Sequence, residues 1–257
     1  MNRIIELLKT SIWFLKRPSY ISHVSQILDR RKNQQKENTR EEATLWCKEK
    51  AVSQKDALQA LGVKSDFKLL EELFPHIMET AKQAEMACPM QMGGEGAISF
   101  LYHLSNARNV KYAMESGVAY GWSSLAILLA INEVGEGSLL SNDMPYIKMN
   151  NEDFVGCVVP HELRKYWRLQ RLPDVKGIPK AFNELDQMLD LFHYDSDKSY
   201  TGRMWAYPQI WKKLKQGGIF VSDDVNDNIA FKEFALKVNR VPLIIEHGGK
   251  YVGILKK

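Results

Sequence analysis

The chain has 257 residues and a formal net charge of +4, with 45% hydrophobic and 26% charged residues. This composition is typical of a globular protein and excludes a wholly disordered, collagen-like or low-complexity chain. The length allows one large α/β domain, or a domain of ~150–200 residues with an appendage.

The positive charge is concentrated at the N-terminus. Residues 1–40 carry nine basic and three acidic side chains, a net charge of +6, so the remainder sums to −2. A nucleic-acid enzyme would more often carry its positive charge around a cleft, so no nucleic-acid partner is expected. Cys47, Cys88 and Cys157 form no CxxC pair. This favours a reducing, cytoplasmic location over disulfides or structural zinc.

The first predicted element is an amphipathic helix over residues 3–16, where apolar residues recur at helical spacing. Glu6 and Lys9 interrupt the apolar run, which argues against a signal peptide. No stretch approaches the ~20 apolar residues of a membrane-spanning helix. Two interpretations stay open: the helix packs on the body or on a second subunit of a homodimer, or residues 1–20 make a peripheral contact with an anionic membrane.

The middle of the chain changes character at Met92. Residues 29–41 are polar and unpatterned, which is typical of a linker or an exposed helix, and residues 41–87 are predicted to be helical. After Met92 strands and helices alternate, which predicts a parallel sheet with helical crossovers. We therefore divide the chain into an N-terminal helical arm and lid region, residues 1–90, and a ligand-binding domain, residues 91–257.

The predicted strands, in chain order, are Val110–Glu115, Ser138–Asn142, Trp167–Arg171, Asp190–Tyr194, Ile219–Ser222, Pro242–Glu246 and Tyr251–Leu255. The predicted helices between them are Ser123–Asn132, Ile178–Met188, Tyr207–Leu214 and Ile229–Val238. The short joint His247–Lys250 fits a hairpin, so the last two strands should be antiparallel. The pattern predicts a Rossmann-like, doubly wound and mostly parallel seven-stranded sheet with an antiparallel last strand and an N-terminal helical extension.

The loop from Glu115 to Ser123 lies between the first predicted strand and its helix, where open α/β sheets bind ligands. Gly117 and Gly121 allow a ligand to approach the backbone closely. Their spacing to the following residues is not that of the dinucleotide fingerprint, which disfavours NAD(P).

Two acidic residues at strand ends are candidates for contacts to such a ligand. Glu115 suits a ligand that carries hydroxyls or a cation rather than a pyrophosphate. Asp143 could accept two adjacent ribose hydroxyls with its two oxygens. The alternative is a tight strand–helix turn in which Asp143 is a helix cap.

A cluster of aspartates follows the next two strands. Asp195 comes directly after the fourth predicted strand, and Asp223 and Asp224 end the fifth. Neighbouring parallel strands lie ~4.8 Å apart, so pairing of these two strands would bring the three carboxylates within reach of one ion. Such carboxylates repel one another unless a cation or protons relieve them. Oxygen ligands favour Mg²⁺, with Ca²⁺ or Mn²⁺ as alternatives, although each aspartate alone could be a turn or cap residue.

These motifs resemble two groups of enzymes. The Glu-x-Gly-x-x-x-Gly-x-Ser loop over residues 115–123, with Asp143 ending the next strand, resembles class I S-adenosylmethionine-dependent methyltransferases. The segment Glu95-Gly96-Ala-Ile-Ser-Phe-Leu and the aspartate pairs resemble metal-dependent catechol and caffeoyl-CoA O-methyltransferases and their sugar- and antibiotic-modifying relatives. Ala97 stands where those enzymes have Gln. The resemblance covers roughly residues 90–257.

The resemblance implies specific roles for the matching residues. It implies an S-adenosylmethionine site formed by Glu115, Gly117, Tyr120, Gly121, Ser123, Asp143 and Asp195. It implies a site for Mg²⁺, or another oxygen-preferring divalent ion, formed by Asp195, Asp223 and Asp224, the last replacing the usual Asn. Lys198 matches the lysine that takes the proton of the acceptor, and Asp174 would lie near the adenine.

The predicted function is therefore Mg²⁺-dependent methyl transfer to a hydroxyl of a small molecule or glycan, with Lys198 and Asp195 as catalytic residues. A divalent ion lowers the pKa of a bound hydroxyl, and a nearby lysine could accept its proton. Two alternatives remain: a non-catalytic binding protein with a methyltransferase fold, and an NAD(P)-dependent oxidoreductase.

Overall fold

The computed structural model describes residues 10, 12–20, 29, 31–64, 66–144 and 151–257. Within these residues the strands are β1 Ala51–Val52, β2 Tyr112–Ser116, β3 Ser138–Asn142, β4 Trp167–Gln170, β5 Leu189–Tyr194, β6 Leu214–Ser222, β7 Leu243–His247 and β8 Lys250–Lys256. The α-helices are α1 Gln34–Glu37, α2 Arg40–Lys50, α3 Gln54–Ala60, α4 Leu70–Leu73, α5 Pro75–Met86, α6 Ile98–Ala107, α7 Trp122–Val134, α8 Asp174–Glu184, α9 Tyr200–Lys213 and α10 Ala230–Lys237. Short 3₁₀ helices cover Pro18–Tyr20, Arg31–Asn33, Glu152–Phe154 and His161–Tyr166.

The strands of the described residues form one sheet of eight strands in the order β1-β7-β8-β6-β5-β2-β3-β4. Strand β8 runs antiparallel to β6 and β7, and the other neighbours are parallel. The predicted fold class and the antiparallel last strand are confirmed. The predicted strand number is too low by one, because Ala51 and Val52 of the N-terminal arm pair with Ile244 and Ile245 of β7.

The sheet separates two hydrophobic clusters. Along β2, Ala113 belongs to one cluster and Met114 to the other, and Leu191 and Phe192 of β5 alternate in the same way. Successive side chains of a strand point to opposite faces, so helices cover both faces of these central strands. One face packs against α3 and α5–α7, and the other packs against α8–α10.

Two helices begin four or more residues earlier than predicted. Helix α8 starts at Asp174 directly after Pro173, and α9 starts at Tyr200, eight residues before the proline inside it. The Ser199 side chain accepts a hydrogen bond from the Gly202 amide and thereby caps α9. This cap fixes the start of α9 at the acidic cluster.

The N-terminal arm is described in part. Residues 3–9 and 11 of the predicted amphipathic helix lie outside the described residues. Trp13 and Phe14 are buried together with Tyr20, whose hydroxyl donates to the Arg171 carbonyl. No helix among the described residues is long and apolar enough to cross a bilayer.

Candidate active site

A cavity of about 830 Å³ opens where the parallel strands β2, β3, β5 and β6 end. This is the edge at which open α/β sheets bind ligands. The predicted site residues that line the cavity are Gly117, Tyr120, Ser123, Asp143, Asp195, Lys198, Asp223 and Asp224. Glu115 and Gly121 are not among the lining residues, so their contacts to a cofactor stay predictions.

The glycine loop after β2 is shaped by two close backbone approaches. Gly117 has a φ of +91°, and a Cβ built on it would lie 2.2 Å from the Asp195 carbonyl oxygen. Gly121 has a φ of +96°, and a Cβ there would lie 2.9 Å from the Cα of Gly156. Both positions therefore require glycine, and the first holds the loop directly against the strand end that carries Asp195.

Glu115 lies beneath this loop with no exposed surface. Its carboxylate accepts hydrogen bonds from the hydroxyls of Ser123, Ser124 and Ser141. A buried carboxylate needs such partners, and here the chain itself provides them. In this arrangement Glu115 holds the start of α7 and the end of β3 against β2.

Asp143 lies on the cavity wall at the end of β3. Its Oδ1 accepts the Val118 amide at 3.0 Å, and its Oδ2 lies 3.2 Å from Arg171 Nη1. Burial raises the pKa of Asp143, and Arg171 and the loop amides oppose this shift. Asp143 thus connects the glycine loop to the residue that follows β4, and its predicted contact to a ribose stays a prediction.

Asp174 also lines the cavity, at the start of α8. It accepts hydrogen bonds from Ser116 Oγ, Asn142 Nδ2 and Tyr194 Oη. Burial raises the pKa of Asp174. Its predicted position near an adenine stays a prediction.

Tyr120 fastens the loop before α6 to the glycine loop. Its hydroxyl donates to the Met90 carbonyl at 2.8 Å and accepts the Met92 amide at 3.1 Å. The segment that follows, residues 92–97, lines the same cavity. A Cβ on Gly96 would lie 3.6 Å from Asp223 Oδ2, so this segment reaches the acidic cluster.

Lys198 lies between two carboxylates of the acidic cluster. Its Nζ contacts Asp195 Oδ1 and lies 2.8 Å from Asp224 Oδ2. Lys250, from β8, brings a second ammonium to 3.6 Å from Asp224 Oδ1. Burial alone would lower the pKa of Lys198, but the neighbouring carboxylates raise it. Lys198 is therefore an ammonium at neutral pH.

His193 is buried on β5 between the remaining carboxylate and Glu115. Its Nε2 lies 3.3 Å from Asp223 Oδ1, and its Nδ1 lies 3.8 Å from Glu115 Oε2. Burial alone would lower the pKa of His193, but Asp223 and Glu115 raise it to about 10. Burial would raise the pKa of Asp223, but His193 and Lys198 hold it below its usual range.

The predicted meeting of Asp195, Asp223 and Asp224 at one cation stays a prediction. The three line one cavity, but no three Asp, Glu, His or Cys side chains of the described residues converge as metal ligands. Lys198 joins Asp195 to Asp224, and Asp223 pairs with His193. Cationic side chains of the chain itself relieve the repulsion that the sequence suggested a metal would relieve.

Two cationic residues near the acidic cluster, Lys250 and Arg203, are not identified from the sequence. Lys250 gives no local signal, because only the folding of the last hairpin brings it near Asp224. Arg203 does give one: it shares a helix face with the buried residues Ala206, Tyr207 and Ile210. A charged residue at a core position of a helical stripe is unusual and indicates a specific partner.

The part of the chain that carries the glycine loop and the aspartate cluster matches a known protein family. Residues 114–225 match a family model described as a methyltransferase domain. The chain thus contains a segment similar to a methyltransferase domain, which covers less than half of its length. The matched range begins within β2 and ends just after the acidic turn at the end of β6, so it includes both the glycine loop and the aspartate cluster of the methyltransferase domain.

Solved methyltransferase structures share this fold. An O-methyltransferase from Bacillus cereus in complex with SAH is 14% identical with a TM-score of 0.54, over 73% of this chain and 95% of that chain. TomG, an O-methyltransferase from Streptomyces achromogenes involved in tomaymycin synthesis and bound to SAM, is 14% identical with a TM-score of 0.51, over 78% and 94%. The SAH-bound methyltransferase PaMTH1 from Podospora anserina is 13% identical with a TM-score of 0.52, over 84% and 94%.

At these identities the likeness extends to the fold of the methyltransferase domain and no further. No curated protein matches the chain in sequence.

Proposed function

We propose that the protein transfers the methyl group of S-adenosylmethionine to a hydroxyl oxygen of a small molecule or sugar. One observation carries this proposal: a single cavity is lined by the glycine loop, Asp143 and the Asp195–Lys198 pair. Its volume of about 830 Å³ lies within the ~300–1,000 Å³ of small-molecule sites. The cavity thus offers room for a cofactor and an acceptor beside polar groups able to handle a proton.

The reaction is an in-line displacement in which the acceptor oxygen forms a bond to the methyl carbon as the carbon–sulfur bond breaks. The sulfonium becomes a neutral thioether, and the hydroxyl loses its proton. A neutral hydroxyl is a poor nucleophile, so a base within hydrogen-bond reach accelerates the step by ~10²–10⁴-fold. Holding both substrates in line could supply a further ~7–11 kcal/mol of the barrier reduction.

The Asp195–Lys198 pair supports a division of the proton-handling roles. As an ammonium, Lys198 cannot accept a proton, but it can donate a hydrogen bond to the acceptor oxygen and offset the charge that develops there. The Asp195 carboxylate, with 39% of its side chain exposed, is available to accept the proton. The predicted role of Lys198 as the base would require the ammonium to separate from Asp195 and Asp224.

The predicted Mg²⁺ dependence remains a prediction. Each of the three carboxylates that would hold the ion is paired with Lys198 or His193, so in this arrangement the ligand set does not fit a metal, and no step of the proposal depends on one. Turnover that is lost with EDTA and restored by Mg²⁺ would show that these side chains rearrange around a metal ion.

Calorimetry with S-adenosylmethionine and S-adenosylhomocysteine tests the cofactor, with NADH as the control ligand. We expect binding of both sulfur compounds and none of NADH. Turnover is then measured by transfer of labelled methyl to catechol and to methyl glycosides, with EDTA and with Mg²⁺. If neither S-adenosylmethionine nor S-adenosylhomocysteine binds, whether EDTA or Mg²⁺ is present, the proposal is contradicted.

Replacing the proton acceptor provides the second test. Asp195→Asn keeps the size of the side chain but removes the base, so we expect turnover to fall by ~10²–10⁴-fold while S-adenosylhomocysteine binding changes little. Asp186→Asn, at an exposed position outside the cavity, is the matched control and should retain turnover. Full activity of Asp195→Asn with EDTA present would exclude this role.

A further inference from the structure

The core beneath the acidic cluster contains a buried arginine. Arg203 of α9 has no exposed surface and is the largest fully buried side chain among the described residues. Removing a guanidinium from water carries a penalty of several kcal/mol, which apolar packing around it does not offset. A charge at such a position therefore needs specific partners.

The partners of Arg203 are the backbone carbonyls of the acidic turn. Its Nη2 donates to the Asp223 carbonyl at 3.1 Å and to the Asp224 carbonyl at 2.9 Å. Asp227 lies beside it, with Oδ2 at 3.9 Å from the same nitrogen. One donor group thus holds two successive peptide units at the end of β6.

The turn needs this support because of its conformation. Asp224 has a φ of +51°, in the left-handed region, which costs a non-glycine residue roughly 1–2 kcal/mol. This conformation turns the chain after β6 while Asp223 and Asp224 both face the cavity. If residue 203 carried no donor, the Asp223 and Asp224 carbonyls would lose these buried hydrogen bonds.

The start of α9 allows Arg203 to reach the turn. A Cβ on Gly202 would lie 2.1 Å from Asp197 Oδ2, so glycine lets the helix start close to the strand tip. Ser199 caps the same turn of helix through the Gly202 amide. The Asn228 side chain donates to the Lys198 carbonyl at 2.8 Å and ties the two loops together.

We propose that Arg203 is a positioning residue of the methyltransferase: by clamping the Asp223 and Asp224 carbonyls it holds both carboxylates toward the cavity. The inference rests on the proposed function for its catalytic consequence. Its structural content, that Arg203 maintains the conformation of residues 222–226, stands independently of any turnover.

The test compares Arg203→Lys and Arg203→Met with Tyr207→Phe. Lysine keeps the charge but lacks the planar fork, and methionine keeps the length of the side chain without donors. The Tyr207→Phe control removes another buried hydrogen bond of α9, to Ser222 Oγ at 2.8 Å, without touching the two carbonyls. Amide exchange of the 222–226 peptide, S-adenosylhomocysteine binding and labelled methyl transfer to catechol and methyl glycosides are measured for each.

We expect faster exchange across residues 222–226 in both Arg203 variants, with methionine affected more, and unchanged binding of S-adenosylhomocysteine. Turnover should fall by roughly 10–100-fold, since an ångström of misplacement can reduce a rate ~100-fold. Tyr207→Phe should retain exchange protection and turnover. The split between intact cofactor binding and lost turnover is a result that a merely structural role would not give.

Several results would overturn the inference. Unchanged exchange in Arg203→Met would exclude the clamp, and unchanged turnover in both variants would exclude its catalytic consequence. Loss of S-adenosylhomocysteine binding in both variants would make Arg203 a determinant of overall stability instead. Absence of turnover in the wild-type protein would contradict the proposed function, and the exchange measurement would still decide whether Arg203 holds the turn.

Discussion

At the scale of single residues, Gly117 allows a sharp prediction. Gly117→Ala places a methyl group 2.2 Å from the Asp195 carbonyl at a φ of +91°. We expect a loss of about 2–4 kcal/mol in the free energy of unfolding, and S-adenosylhomocysteine binding weakened more than tenfold, because the loop must leave the strand end. Denaturant unfolding and calorimetry measure the two effects.

Gly135→Ala is the matched control for this change. Gly135 has a φ of +82°, but apart from Gly135 itself and its two chain neighbours no described residue has an atom within 4 Å of the added methyl group, so this change isolates backbone strain from steric overlap. It should lose only about 1–2 kcal/mol and bind the cofactor normally. Equal losses in the free energy of unfolding for both variants would show that the close approach to the Asp195 carbonyl is not the reason why position 117 requires glycine.

The buried thiol of Cys47 gives a second prediction at this scale. Burial raises the pKa of Cys47 to about 12, with a small opposing effect of Arg203. Only about one thiol in ten thousand is then a thiolate at pH 8, and the thiolate is the reactive form. We expect iodoacetamide at pH 8 to modify the partly exposed Cys88 before Cys47 in the native protein, as measured by mass spectrometry of the peptides.

Because the pKa of Cys47 is raised above that of an unfolded thiol, its reactivity should increase only as the pH approaches 12 or as urea unfolds the chain. Modification of Cys47 and Cys88 at equal rates at pH 8 would contradict its burial.

The sequence predicts which site residues meet, but not how their charges are balanced. The pairing of β5 with β6 places the ends of these strands side by side, and Asp195, Asp223 and Asp224 line one cavity. Their predicted convergence on one cation stays a prediction. One partner of these carboxylates is local, because Lys198 follows Asp195 by three residues. The others pair across elements: His193 of β5 contacts Asp223 after β6, and Lys250 of the last hairpin lies near Asp224. Pairings between separate elements leave no spacing in the sequence that could have revealed them.

At the scale of elements, the arm caps a helix of the methyltransferase domain. Glu37 accepts hydrogen bonds from the Tyr200 and Thr201 amides at 2.6 and 3.1 Å, and from the Thr201 hydroxyl at 2.8 Å. A carboxylate at a helix N-terminus satisfies free amides and complements the helix dipole. Glu37→Ala should therefore lower the free energy of unfolding by about 1 kcal/mol, as measured in urea.

Glu41→Ala, at an exposed position of the same arm, is the control and should change stability by less than about 0.5 kcal/mol. If Glu37→Ala is as stable as this control, the cap does not form in solution.

Predicted and observed elements differ where a side chain from elsewhere decides the boundary. The predicted bounds of the short buried parallel strands β3 and β5 agree with the structure to within one residue. Helix α9 begins seven residues earlier than predicted, because its start depends on the Ser199 cap and on Glu37. Strand β1 has two residues and no pattern of its own, so only its pairing with β7 defines it.

At the scale of the whole molecule, residues on both sides of the predicted boundary at residue 90 share one hydrophobic cluster. Leu58, Leu70 and Met78 of the arm and lid region pack in the same cluster as Leu104 and Leu128. The sequence pattern changes near Met92 from helical segments to alternating strands and helices. The hydrophobic cluster nevertheless includes residues from both sides of this point. The predicted domain boundary at residue 90 stays a prediction, and truncation can test which segments the fold needs.

A pair of truncations tests how far the arm is part of the fold. A chain that starts at residue 31 keeps the Glu37 cap and β1, whereas one that starts at residue 53 loses both and leaves the β7 edge unpaired. We expect the shorter chain to lose about 2–3 kcal/mol, or roughly 4–12 °C in melting temperature at ~2–4 °C per kcal/mol. It should also self-associate, because an exposed strand edge is a template for pairing. Calorimetry and size-exclusion chromatography measure both effects, with the chain from residue 31 as the control. If both chains melt together and remain equally monomeric, residues 31–52 are an appendage, and the sheet of the methyltransferase domain is complete without β1.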